Sequence, residues 1–322
     1  MHGRRRAEYK ARMSDPKVVA GLQHKAKQWF KLNDELIHRD GGSLELISNL
    51  LTVNPDPLYL WNRRRALLGD TLDDLEAELK LTQTCLERNP KAYGTWFHRK
   101  WCILKAGREE SILQRELALC AQFLNLDERN FHCWNYRRFV VGCLCGSTNG
   151  ETVFQGEVVF GSQVGGESDS RGSVFEDKKT HDLLEAEVKF TTEKIQQNFS
   201  NGSAFHYRCK LLTYLPDVFS LEDELELIHN AIFTEPDDQT AWWYLQFLLE
   251  KYHADFDLET EKSMLEELLE AEGGESKWVL LGLYHVLQYM EGMEEEQEQI
   301  LSTLIRIDPD RKVRYENMVK TT

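Results

Sequence analysis

Seven aromatic residues stand at near-constant intervals along the chain: Trp61, Trp96, Trp134, Phe205, Trp242, Trp278 and Tyr315. The steps between them are 35, 38, 71, 37, 36 and 37 residues, so the long step is one ordinary step plus an insertion. A fixed period of this length marks a repeat architecture, and it limits the possible folds more than any composition value does. Ten residues before each of the first five anchors comes an aliphatic residue: Leu51, Leu86, Leu124, Ile195 and Ile232. Most of these close an apolar pattern of one helix face, as in Leu75, Leu79, Thr82, Leu86 or Leu221, Leu225, Ile228, Ile232. A turn or breaker follows (Asn54-Pro55, Asn89-Pro90, Asp127-Glu128, Asn198-Phe199, Glu235-Pro236), and then a second helix with the anchor on its second turn.

Each repeat therefore reads as helix, turn, helix. Such a pair cannot bury its own apolar face and must stack on its neighbours. The expected fold is all-α: a right-handed α-solenoid of about seven helical hairpins. It forms a single helical-repeat domain over residues 1–322, with an irregular first helix around Val18–Arg39. The segment 142–176 holds eight glycines and five serines and has no helical period, which predicts a flexible surface insertion between two repeats. Within it, 158–160 is long enough for a hairpin strand but not for a domain.

The net charge of −15 argues against nucleic acid or an anionic membrane surface as the main partner. No apolar run is long enough to span a bilayer, and the basic N-terminus lacks the apolar core of a signal peptide. Seven cysteines, an odd number, lie mostly inside helical patterns and read as reduced thiols of a cytoplasmic protein. Neither a zinc-ligand spacing nor a Gly-rich phosphate loop is present, so no resident metal is expected on this chain.

Two sets of residues carry chemistry. Arg64, Arg99, Arg137 and Arg208 each follow an anchor by three positions and share its helix face; Leu245 breaks the series. They are either structural, pairing with a carboxylate of the next repeat, or functional. The second set lies where second helices begin. Lys91 and Tyr93 open one, and Arg129, Phe131 and His132 open the next. A helix N-terminus offers unpaired N–H groups and a positive dipole end, so a lysine, a tyrosine hydroxyl and a histidine there make an anion site, phosphate being the natural anion. The alternative is a solvated basic residue beside a packed tyrosine.

The stretch Pro90-Lys91-Ala92-Tyr93-Gly94-Thr95-Trp96-Phe97-His98-Arg99 resembles the repeat of protein prenyltransferase α subunits, with Pro, Trp and Arg in register. The likeness covers nearly the whole chain outside the insertion. Within that family the chain is most similar to the α subunit of Rab geranylgeranyltransferase (type II). That likeness is carried by Met1-His2-Gly3, Asn89 to Trp101, Asp127 to Phe139, and Asn198-Phe199-Ser200-Asn201 with His206-Tyr207-Arg208. The α subunit shared by farnesyltransferase and geranylgeranyltransferase type I is a more distant match, and a tetratricopeptide-like protein-binding scaffold is the reading from another class.

The resemblance implies a heterodimer with a geranylgeranyltransferase β subunit that holds the catalytic zinc and the lipid pocket. It implies transfer from geranylgeranyl diphosphate to C-terminal cysteines of Rab GTPases presented by a Rab escort protein. It gives Lys91, Tyr93 and His132 the role of stabilising the diphosphate leaving group, and it allows His2 as a provisional ligand to the partner's zinc. The immunoglobulin-like and leucine-rich-repeat domains of animal relatives have no room here, so the compact form of the subunit is expected.

Overall fold

The structure, a computed structural model, describes residues 6–38, 43–69, 71–146, 178–212, 215 and 220–319. His2, the possible strand at 158–160 and most of the 142–176 segment lie outside these residues. The chain divides into two compact units, Met1–Gln155 and Gly156–Thr322, with the division inside the Gly/Ser-rich segment. Every regular element among the described residues is helical, and no helix among them is long and apolar enough to cross a membrane.

The first unit opens with α1 (Arg6–Met13) and α2 (Pro16–His38). The expected first helix, Val18–Arg39, is thus α2, and part of the basic stretch before it forms the further helix α1. Three hairpins follow: α3 (Leu44–Val53) with α4 (Leu58–Leu67), α5 (Leu72–Arg88) with α6 (Tyr93–Lys105), and α7 (Glu110–Leu126) with α8 (Phe131–Leu144). First helices pack on first helices (α3 on α5) and second on second (α4 on α6 on α8). The second unit contains four hairpins: α9 (Lys178–Gln197) with α10 (Gly202–Leu212), α11 (Leu221–Thr234) with α12 (Gln239–Tyr252), α13 (Leu258–Ala271) with α14 (Lys277–Leu287), and α15 (Glu294–Ile307) with α16 (Lys312–Val319). Helix α8 runs through Gly142 and Cys143, both buried, to Leu144, so the first residues of the expected insertion are helix instead.

The aromatic ladder is a set of buried anchors with a polar tether. Trp61, Trp96, Trp134, Phe205, Trp242 and Tyr315 are at most 4% exposed, while Trp278 is half-buried. A buried indole N–H needs an acceptor. Each deeply buried tryptophan finds one in the turn six residues earlier: Trp61 donates to Pro55 O at 2.9 Å, Trp96 to Pro90 O, Trp134 to Glu128 O and Trp242 to Pro236 O, each at 2.8 Å. The anchor thus fills the space between the helices and fixes the turn that joins them.

The arginines form the second recurring device. Arg64 of α4 donates to buried Glu78 of α5 (Nε to Oε2, 2.7 Å), Arg99 of α6 to Glu116 of α7 (Nη2 to Oε1, 2.7 Å), and Arg208 of α10 to Glu224 of α11 (Nε to Oε2, 2.7 Å). The remaining Nη1 turns back to the backbone oxygen twenty residues earlier, in the first helix of its own repeat: Arg64 to Leu44 O, Arg137 to Leu117 O, Arg208 to Val188 O and Arg99 to Leu79 O. Each of these glutamates also takes a donor from its own hairpin, His98 to Glu78, Tyr136 to Glu116 and Tyr244 to Glu224, and Tyr207 donates in the same way to Glu187. Arg64, Arg99 and Arg208 are therefore structural: each clasps three helices across a repeat boundary. Such buried pairs add little net stability over apolar residues, but a clasp missing one partner is costly, so they specify register. Where Leu245 replaces the arginine, buried Glu261 is met by His229 Nε2 at 3.0 Å.

Candidate anion site at two adjacent repeat turns

Lys91, Tyr93 and His132 lie at the turns of the second and third hairpins of the first unit. Lys91 sits in the turn between α5 and α6, half-buried, its N–H donating to Asn89 Oδ1 at 3.2 Å in an Asx turn. Tyr93 is the first residue of α6 and is 54% exposed, with a hydroxyl that no described residue of the chain engages. Ala92, just before it, has no side chain that can cap the helix. The α6 N-terminus thus keeps its positive end open to an external anion. Gly94 lets the neighbouring repeat close in: a Cβ there would lie 3.1 Å from Leu58 Cδ2.

His132 is the second residue of α8, half-buried, with its ring 4.0 Å from that of Phe131, which is exposed. Partial burial and the nearby Lys91 ammonium both hold the His132 imidazole below its ordinary pKa. Lys91 and His132, 41 positions apart in sequence, are thus brought within electrostatic reach by the stacking of one repeat on the next. Arg129, the other basic residue of this turn, is exposed.

Two further residues lock these turns together. Asn130, 2% exposed, caps α8 by accepting from His132 N at 3.1 Å and Cys133 N at 3.3 Å. Its amide also donates to Pro90 O at 2.9 Å, the same oxygen that holds Trp96. Asp127 Oδ2 lies 3.2 Å from Lys91 Nζ. In sequence Asp127 reads only as a turn residue, and neither is assigned a part in the site. Asn130 was legible as an N-cap immediately before an apolar helix, but its bond to the preceding turn has no local signal.

The second helices of these repeats are basic although the chain is acidic. Helices α4, α6 and α8 carry Arg63, Arg65, Lys100, Lys105 and Arg138 besides the buried Arg64, Arg99 and Arg137, and no acidic residue. The donors here, an ammonium, a phenol and one imidazole, do not form a zinc ligand set. The described residues do hold one possible metal cluster, His181, Asp182 and Glu185, with ligand atoms within 4.8 Å of one another. It is partly exposed on α9, and Glu185 already pairs with Lys189 at 2.8 Å.

Comparison with known proteins agrees with this architecture. The family model "Protein prenyltransferase alpha subunit repeat" matches residues 75–106, 113–144, 184–215 and 221–252, which are four of the hairpins above. The chain is 35% identical to the rat and 36% identical to the human geranylgeranyl transferase type-2 subunit alpha, over 77% of its own length and 42% of each relative. It thus spans about two fifths of the mammalian relatives. It is 28% identical to the Saccharomyces cerevisiae subunit of the same name, over 99% of both chains. A solved chain of Candida albicans protein geranylgeranyltransferase-I, complexed with GGPP, shares the fold: TM-score 0.60, 17% identity, with 86% of this chain and 82% of that one covered. With its hairpins, tethered tryptophans and matched repeats in one register, the chain belongs to the protein prenyltransferase α-subunit repeat family.

Proposed function

We propose that the chain is the α subunit of a heterodimeric geranylgeranyltransferase of type II. The observation that carries the reading is the locking together of the Lys91 and His132 turns, from adjacent repeats, by the Asn130 bond to Pro90 O, beside the uncapped N-terminus of α6. In the proposed reaction a cysteine thiolate of a Rab GTPase attacks C1 of geranylgeranyl diphosphate. The carbon–sulfur bond forms as the carbon–oxygen bond breaks, and the diphosphate leaves with the bonding electrons. Negative charge grows on the bridging oxygen as it departs. Lys91 supplies a full positive charge there, and Tyr93 and His132 supply hydrogen-bond donors. A depressed pKa keeps His132 neutral near pH 7, so it donates without adding a second cation beside Lys91.

The family resemblance supports a β subunit as partner and assigns it the zinc, which would favour the thiolate form of the substrate cysteine. It likewise supports a Rab escort protein and a cytoplasmic setting. The seven cysteines, six of them buried and none in a disulfide, suit a reducing compartment. The test is reconstitution with the cognate type II β subunit, escort protein and Rab, in parallel with the β subunits of farnesyltransferase and geranylgeranyltransferase type I. Prenylated Rab in the first mixture alone is the expected result. Product only with the other β subunits would replace this reading with the shared α subunit, and failure to pair with any of them would leave a protein-binding scaffold.

A further inference from the structure

Asp127 stands at the C-terminal end of α7, its N–H donating to Phe123 O at 3.0 Å. A carboxylate there faces the negative end of the helix dipole, an unfavourable place for it. Seven residues before the anchor, the same position in three other repeats is Asn54, Asn89 or Asn198. Those amide oxygens accept the N–H two residues on and shape the turn. An asparagine at 127 would suit this turn equally well. What the aspartate adds is a full negative charge, directed across the repeat boundary to 3.2 Å from Lys91 Nζ, with both side chains only partly exposed.

We propose that Asp127 is a positioning residue for Lys91: it is the counter-ion from which the ammonium is drawn when a diphosphate arrives. The proposal rests on the reading that Lys91 meets the diphosphate. A lysine with no counter-ion would be free to wander before substrate binds and would hold the inorganic diphosphate product more tightly afterwards. With Asp127 in place, the amine is aimed beforehand, and the carboxylate reclaims it as the product departs. The charge at 127 thereby lowers the affinity of the site for the anion and favours turnover.

The experiment uses the reconstituted heterodimer, with inorganic pyrophosphate as the probe. Inhibition constants are measured for wild type, Asp127→Asn, Lys91→Ala and the double variant, alongside KM for the prenyl diphosphate, kcat and heterodimer yield. Asp127→Asn is expected to bind pyrophosphate roughly three- to tenfold more tightly, as removal of one nearby charge from a half-exposed site implies. It should also lower KM more than it changes kcat, with wild-type assembly. The tightening should be much smaller when Lys91 is already alanine. Unchanged or weaker inhibition by Asp127→Asn overturns the proposal, and so does equal tightening with and without Lys91. If Lys91→Ala itself turns over at the wild-type rate, the underlying assignment of Lys91 fails, which is a separate result.

Discussion

Arg99 of α6 and Glu116 of α7 are each 3% exposed and meet through two guanidinium N–H donors across a repeat boundary. Replacing Arg99 with leucine strands the Glu116 carboxylate in the interior. The expected loss is about 3–5 kcal/mol, because an uncompensated buried charge costs more than the pair contributes. The variant Arg99→Leu, Glu116→Leu, Tyr136→Phe should recover much of that loss, since it removes the stranded carboxylate together with the buried hydroxyl that donates to it. Chemical denaturation of the three proteins checks both steps.

Acid sensitivity should begin at His98. This imidazole is fully buried, and burial depresses its pKa despite the hydrogen bond to Glu78. The neutral form is therefore the folded one. Stability is complete above the ordinary value of 6.5 and falls as pH drops below it, because the unfolded chain binds the proton more readily. Burial alone would raise the Glu78 pKa, but hydrogen bonds from His98 and Arg64 hold it below 4.5, so a second loss sets in below that pH. His98→Tyr copies the residue that Tyr136, Tyr207 and Tyr244 place against their own glutamates. It should flatten the decline in melting temperature between about pH 6.5 and 5, leaving the lower-pH loss in place.

At the proposed site, Lys91→Ala should lower single-turnover prenyl transfer by roughly a hundredfold, the usual scale for removing one preorganised charge from a leaving group. Tyr93→Phe should cost less, because only one neutral donor is lost. Neither substitution touches the tethers or clasps, so heterodimer yield should match wild type. Rapid-quench kinetics with the reconstituted enzyme separate the chemical step from binding.

Gly282 of α14 lies directly beneath Trp242 of α12: a Cβ built there would fall 2.4 Å from the indole Cζ3. Gly282→Ala should destabilise the chain by about 1–3 kcal/mol through overpacking, although alanine is the better helix former. A variant with unchanged stability would show that the Trp242 ring shifts freely, which its hydrogen bond to Pro236 O opposes.

Much of this molecule is written in its period. Spacing located the hairpins because a helical repeat must return its anchor to the same interface every 36 or so residues, whatever the intervening surface. The same comparison separated Trp96 and Arg99, which recur, from Lys91 and Tyr93, which do not. It could not show what each arginine reaches. Glu78, Glu116 and Glu224 lie 14 to 17 positions downstream on another helix and look like any solvated acid in an acidic chain. Asp127 was hidden for a related reason: in sequence it is an ordinary turn residue, and its charge acquires meaning only beside a lysine 36 positions earlier. Gly142 and Cys143 read as the opening of a loop because glycine is a poor helix former, but packing at the end of α8 overrides that preference.

The forward reach of the arginines gives the chain a direction and decides where it can be divided. A cut between α6 and α7 would leave Arg99 without its acid in one fragment and Glu116 without its arginine in the other. Between α12 and α13 no arginine bridges the hairpins, because Leu245 stands there, and among the ion pairs described above only His229 to Glu261 would be lost. A fragment ending after α12 therefore closes on an apolar side chain, whereas one ending a single hairpin earlier, after α10, ends on a buried guanidinium.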